Sequence, residues 1–224
     1  MSTELFDFLR ELKENNNREW FKQHKQRYDQ LRSQHIREVQ DLIERIAVFD
    51  PEIAGLDAKS CIYRIYRDIR FSNDKTPYKT HFGAYMTGHG GRTSFYSGYY
   101  LHLEPDNSFI SGGCWQPPPA LLKKERQDIY NNMDEFLEII ENKEFKNTFS
   151  ELEGETTKRM PEGFPADSPH AAILKHKDFI VSAPKPDAFF ASNNWQDIAI
   201  EYFKTLYPFN KFLNYTVKEF LGFV

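Results

Sequence analysis

Apolar residues in the first 46 positions recur every three or four residues, the spacing that lines one face of an α-helix. Leu5, Phe8, Leu9 and Leu12 form a first stripe, which the run ENNN at 14–17 interrupts. Asn16 followed three residues later by Glu19 has the form of a capping box. From there Trp20, His24, Tyr28, Leu31, His35, Val39, Leu42 and Ile46 keep the helical period, with no Pro or Gly before Pro51. The spacing predicts a helix of about thirty residues, roughly 45 Å long at 1.5 Å per residue.

From Cys61 to Trp115 the period becomes two. Strands are expected over 62–71, 80–87, 95–104 and 109–115, separated by SNDKTP, GHGGR and PDNS, whose residues suit turns. Connections this short favour an antiparallel meander. Helical spacing returns after QPPP, where Pro118 or Pro119 fits a first helical turn. Residues 151–169 read as irregular or as short edge strands. KDFIVSAPKPD reads as a brief strand ending in a cap at Asp187, and 188–221 as two helices separated near Pro208. The sum is an α+β fold: a single antiparallel sheet of about four to six strands, packed by a long N-terminal helix and by C-terminal helices. One globular domain over 1–224 is expected.

Composition narrows the classes. Of 224 residues 28% are charged and 40% hydrophobic, with 20 Phe and 12 Tyr, which describes an ordered chain. No apolar run reaches the roughly 18 to 20 residues that span a bilayer, and the start MSTELFDFLRELKEN lacks the basic and apolar regions of a leader. The expectation is a cytoplasmic protein with no membrane partner. A net charge of -4 argues against broad coating of nucleic acid, though not against a local basic patch. Cys61 and Cys114 are too few for a disulfide framework and read as buried free thiols.

Against that balance, RIYRDIRFSNDKTPYKTHFG at 64–83 concentrates cations. On a strand, Arg64, Tyr66, Asp68 and Arg70 share one face, and Ile65, Arg67, Ile69 and Phe71 the other. The second face meets the core, so Arg67 requires a carboxylate or carbonyls beside it. On the polar face, Asp68 can orient one flanking arginine and leave the other for a ligand. The turn adds Asp74, Lys75, Tyr78 and Lys79, and His81 opens the next strand. In GYYLHLEP, Leu101 and Leu103 take the core face, so Tyr100, His102 and Glu104 share the other. These groups suit an anion site. Arg64, Arg70, Lys75 and Lys79 would hold a phosphate or carboxylate, Tyr78 and Tyr100 would orient it, and His102 with Glu104, or His81, would do acid–base work. The alternative is a buried ion-pair network that only braces the sheet.

Other motifs carry less. His102-x-Glu104 is the first half of a two-histidine, one-carboxylate metal triad, with His81, His170 or His176 as a third ligand, but a hydrogen-bonded histidine on a polar sheet face explains the pair better. No metal ligand set is assigned, and the sequence names no cofactor, present or absent. Cys114 as a nucleophile lacks a neighbour in sequence that would lower its pKa. Trp20, Phe21 and Tyr28 fit a core stripe better than a base-stacking surface.

The series LRELKENNNREWF, RIYRDIRFSNDKTPYKTHFGAYM, GYYLHLEPDNSFISGGCWQPPPALL and LKHKDFIVS resembles, in collinear order from about Leu5 to Leu213, the domain-of-unknown-function 2461 family. The resemblance implies a single-domain, widely distributed microbial protein and implies no activity. Its pattern falls on Asn15, Asn16, Trp20, Phe21, Arg64, Arg67, Asp68, Arg70, Phe71, Asp74, Lys75, Pro77, Tyr78 and Lys79. It continues through Tyr100, Gly113, Trp115, Gln116 and Pro117 to Lys177. Neither the GHGGR hairpin nor Glu151–Thr157 is distinctive, and no function is placed there. The leading expectation is binding of an anionic small molecule, with or without hydrolytic or transfer chemistry. A non-catalytic nucleic-acid or protein-binding module is the alternative.

Overall fold

The computed structural model describes residues 3–223; Met1, Ser2 and Val224 of the expected domain lie outside the described residues. Four strands, β1 (Phe82–Met86), β2 (Gly98–Leu103), β3 (Ser108–Cys114) and β4 (Phe179–Lys185), form one antiparallel sheet in the order β1-β2-β3-β4. The fold is α+β, as the change of period implies.

The register sorts the sheet into two faces. Ala84 pairs with Leu101, Leu101 with Ile110 and Ile110 with Ala183. With Phe82, Met86, Tyr99, Leu103 and Val181 these side chains form a buried face. Against it pack α1 (Thr3–Glu14), α3 (Lys25–Ile46) and α10 (Trp195–Leu221) in one continuous apolar cluster. Each fully buried Leu, Val or Phe there contributes roughly 1.5–3 kcal/mol of transfer free energy. The helices α5 (Pro119–Asn131), α6 (Met133–Ile140) and α7 (Lys143–Phe149) follow β3. Pro119 opens α5 where its missing N–H costs nothing. Short helical turns α4 (Ala58–Cys61), α8 (Ala171–Leu174) and α9 (Asp187–Ala191) lie between the longer elements.

Three elements depart from the pattern. The long N-terminal helix is broken at His24 (φ -102°, ψ 11°), which separates α2 (Arg18–Gln23) from α3. The cap of α2 is Asn17, whose side chain accepts from Trp20 N, while Asn16 is spent elsewhere: its amide pairs with both backbone groups of Tyr78, at 2.9 and 3.1 Å. Pro208 does not break the C-terminal helix but lies inside α10, which runs through it. It is exposed, and Phe203, Leu206, Phe209 and Leu213 anchor the helix to the core on both sides of it. Their burial outweighs the roughly 3 kcal/mol of an interior proline.

The third departure concerns the basic motif. Residues 62–71 are not a strand: they make only isolated bridges, Ile62 to Ala84 and Tyr66 to Tyr78. The chain folds back on itself, with Arg67 N donating to Pro77 O (2.9 Å) and Lys79 N to Ile65 O (2.7 Å). Pro77 has no N–H to extend the pairing. Asp68 and Asp74 also turn their carboxylates onto nearby backbone, accepting from Arg70 N and Thr76 N, a local alternative to a ladder. Alternation of faces therefore fails from Arg67 onward. Arg67 is partly exposed rather than in the core, and Phe71 is 95% exposed.

Candidate functional site

Among the described residues the long helices pack in the core on the first face of the sheet, and the second face carries a cleft. Gly83 pairs with His102, Tyr85 with Tyr100, Tyr100 with Ser111, His102 with Phe109 and Ser111 with Ser182. All of these but Gly83, with Gly113 and Ile180, floor that cleft of about 670 Å³, a volume usual for a small-molecule site. Tyr63, Lys79 and His81 wall it from the folded-back ribbon, and Arg92, Phe95 and Trp115 from the other loops. Gly83 makes room for the floor: a Cβ there would lie 2.8 Å from the Tyr100 hydroxyl and 3.4 Å from the Tyr63 ring.

A hydrogen-bonded line runs along β2. The Tyr100 hydroxyl lies 2.9 Å from His102 Nδ1, and His102 Nε2 lies 3.4 Å from Glu104 Oε2. Glu104 also accepts from Asn107 Nδ2 (2.7 Å) and Thr80 Oγ1 (3.1 Å). An acceptor-only carboxylate fixes the proton on Nε2 and leaves Nδ1 to accept from the phenol. The His102 ring stacks on Phe109 at 4.6 Å and packs beside His81 at 4.5 Å.

Burial sets the charge states. It lowers His81 to about 4, aided by His102 and Lys79, and it lowers His102 against the opposing pull of Glu104. Both imidazoles are thus neutral at neutral pH. Tyr100 is raised by burial and stays protonated. Burial alone would raise Glu104, but the hydrogen bonds from Asn107, His102 and Thr80 bring it below its usual value. Lys79 is lowered by burial and by Arg64, and its Nζ sits 5.0 Å from the centre of the Tyr63 ring. Among the described residues neither Lys79 nor Arg92 forms an ion pair, although Arg92 Nη1 donates to Ser60 O at 2.7 Å.

The candidates read from sequence divide into two groups. Lys79, His81, Tyr100 and His102 line the cleft, with Glu104 behind His102. The rest lie away from it. Asp68 pairs with Arg70 at 2.6 Å, Asp74 with Arg67 and Thr76, and Lys75 donates to Ile69 O at 3.0 Å. Arg64 is exposed. Tyr78 is buried in the core, stacked on Phe21 at 4.0 Å.

Sequence reasoning passes over Tyr63, Tyr85, Phe109 and Ser111. Strand parity could find three of these, because Tyr85, Phe109 and Ser111 share the face of Tyr100 and His102. Arg92 and Glu153 also line the cleft, although GHGGR and Glu151–Thr157 show nothing distinctive in sequence.

The remaining sequence motifs lie outside this line of hydrogen bonds. Among the described residues no group of three or more His, Cys, Asp or Glu side chains is arranged to hold a metal ion. Cys61 and Cys114 are free and buried. Burial and the nearby Glu125 push the Cys114 thiol well above its usual range, which opposes a nucleophilic role. No helix of the described residues is long and apolar enough to cross a membrane.

Fold and site together define an α+β protein whose open sheet face is an aromatic cleft bearing two cations without ion-pair partners among the described residues. The chain belongs to the family described as conserved hypothetical protein (DUF2461), which it matches over residues 4–212. Comparison with curated proteins returns no match, and comparison with solved structures returns none.

Proposed function

We propose that the cleft binds an anionic small molecule, carrying a phosphate or a carboxylate, and that the Tyr100–His102–Glu104 line serves acid–base chemistry on it. The observation that carries this reading is charge imbalance inside a cavity. Lys79 and Arg92 line it without ion-pair partners among the described residues, and Glu153 is the one carboxylate in the described lining. In a partly dehydrated cleft a cation without a counter-charge gains most from an incoming anion.

The line on β2 supports a hydrolytic or transfer step. Glu104 orients His102, His102 Nδ1 holds the Tyr100 hydroxyl, and Tyr100, kept protonated, is placed to give a proton to the ligand oxygen released when its bond is cleaved by water or an acceptor. Glu104 does not line the cleft, so its role is to position His102. The folded-back ribbon does not favour an open basic surface for nucleic acid, because Arg67 and Arg70 are each paired with an aspartate.

The test is a thermal-shift screen of phosphorylated and carboxylated metabolites on the wild-type chain, on Lys79→Ala and on Arg92→Ala. Anions that bind the folded state raise Tm by mass action. The reading requires at least one hit, lost in both variants. Hits that persist in both would place the anion elsewhere, and an absence of hits would count against the cleft as an anion site.

A further inference from the structure

We infer that the ligand of the cleft is a nucleoside monophosphate, with its base against the rings of Phe95 and Trp115 and its phosphate on Lys79 and Arg92. This rests on the anion reading above and assigns a purpose to the aromatic rings, which an anion alone does not need. Phe95 is 48% exposed and Trp115 64% exposed, and both line the cleft. Exposed aromatic rings elsewhere, such as Phe71 and Tyr215, line no described part of it. Two open rings on one largely aromatic cavity form a platform on which a flat, polarisable base stacks in place of water.

The backbone that presents Trp115 is held in an unusual shape. The chain leaves β3 through Gly113 at φ 106° and turns at Gln116, a non-glycine residue at φ 50°. Left-handed backbone at a residue with a Cβ is disfavoured. Here it is fixed by Asp178, whose buried carboxylate accepts from Gln116 N at 2.6 Å. The result keeps Trp115 out over the cleft rather than folded onto the core.

Charge bounds the phosphate count. A phosphate monoester carries about -1.5 to -2 at neutral pH, which two cations balance. A di- or triphosphate would bring more negative charge than Lys79 and Arg92 can meet, with both histidines neutral. Tyr100 and Ser182, which also line the cleft, offer hydroxyl groups to a sugar; Ser182 Oγ donates to Ser111 Oγ at 3.3 Å and retains acceptor capacity.

The experiment is calorimetric titration at one fixed salt concentration with inorganic phosphate, ribose 5-phosphate, and the 5′-monophosphates of adenosine, guanosine, cytidine and uridine. At least one nucleotide should bind about tenfold or more tightly than ribose 5-phosphate, the gain expected of one stacked base. Trp115→Ala should collapse that ratio to about one, and Trp115→Phe should keep most of it. Because Trp115 is exposed, neither variant endangers the fold. If ribose 5-phosphate binds as well as every nucleotide, or the ratio survives Trp115→Ala, the inference is overturned while the anion site stands. If none of these compounds binds, the inference is overturned, and the anion reading is then decided by the carboxylated compounds of the thermal-shift screen.

Discussion

Arg67 and Arg70, in the folded-back ribbon, each meet an aspartate within a few residues of themselves, whereas Lys79 and Arg92 face a cavity and meet none among the described residues. The difference lies in what the local chain can supply. Asp68 and Asp74 sit at turns where their carboxylates accept from both backbone and arginine, and both are held at about 2, below the usual carboxylate range. Those pairs neutralise two of the ribbon's cations in water, where pairing is worth little, and the ribbon's Arg64 and Lys75 are exposed to solvent. The cleft is floored by strands whose side chains are tyrosine, histidine, serine and phenylalanine, so the cations on its walls keep an unspent charge in a drier setting. Density of charge in a sequence and availability of charge in a fold are different properties.

The comparison can be broken by acid first. His35, buried beneath β1 with its ring 5.4 Å from Phe82, and His81 in the cleft are both lowered to about 4, chiefly by burial. Arg32 adds to the effect on His35. The unfolded chain protonates near 6.5, so stability present above that value is lost as pH falls towards 4. For fully buried His35 the loss is about 3 kcal/mol. Urea midpoints measured between pH 7 and 4 should drop accordingly, and His35→Leu should flatten the curve. The ribbon contributes no loss in that window, because its aspartates remain ionised to about 2. Equal acid sensitivity in His35→Leu and wild type would contradict this division.

Next in size is the cleft cation. Lys79→Ala should weaken binding of whichever anion the screen identifies by roughly ten- to a hundredfold, the worth of a hydrogen bond to a charged group. Arg67→Ala follows: it removes bonds to Asp74 and Thr76 from a partly exposed site and should cost about 1 kcal/mol or less in urea denaturation, with anion affinity unchanged. Smallest is Arg70→Ala, which breaks an exposed pair and should leave both the urea midpoint and anion affinity at wild-type values. Loss of binding in Arg70→Ala with none in Lys79→Ala would invert the comparison.

How far the fold is legible in the sequence follows the same physics. Alternation from 80 to 115 names β1, β2 and β3 within a few residues, because one face of each is buried and the period of two is enforced by the core. The same rule places Tyr100 and His102 together. It fails over 62–71, where Pro77 and two aspartates offer the backbone local partners that alternation does not register. Helical period carries through Pro208, yet the proline reads as a break because the burial of Phe203, Leu206, Phe209 and Leu213 on either side is a tertiary fact. Arg92 and Phe95 reach the cleft from the loop between β1 and β2, and Trp115 from the turn after β3. No spacing within the chain announces that meeting, so half of the cleft wall is invisible until the fold is assembled.

The central claim is that an anion meets the charge of Lys79 and Arg92 in the cleft and not that of the ribbon's solvent-facing cations. Diffraction from crystals grown with tungstate, a phosphate-like oxyanion located by its anomalous signal, tests this directly. The account predicts a peak within hydrogen-bonding distance of Lys79 Nζ or the Arg92 guanidinium, over the Tyr100 and His102 side chains. A peak on Arg64, Arg70 or Lys75 with none in the cleft would contradict it.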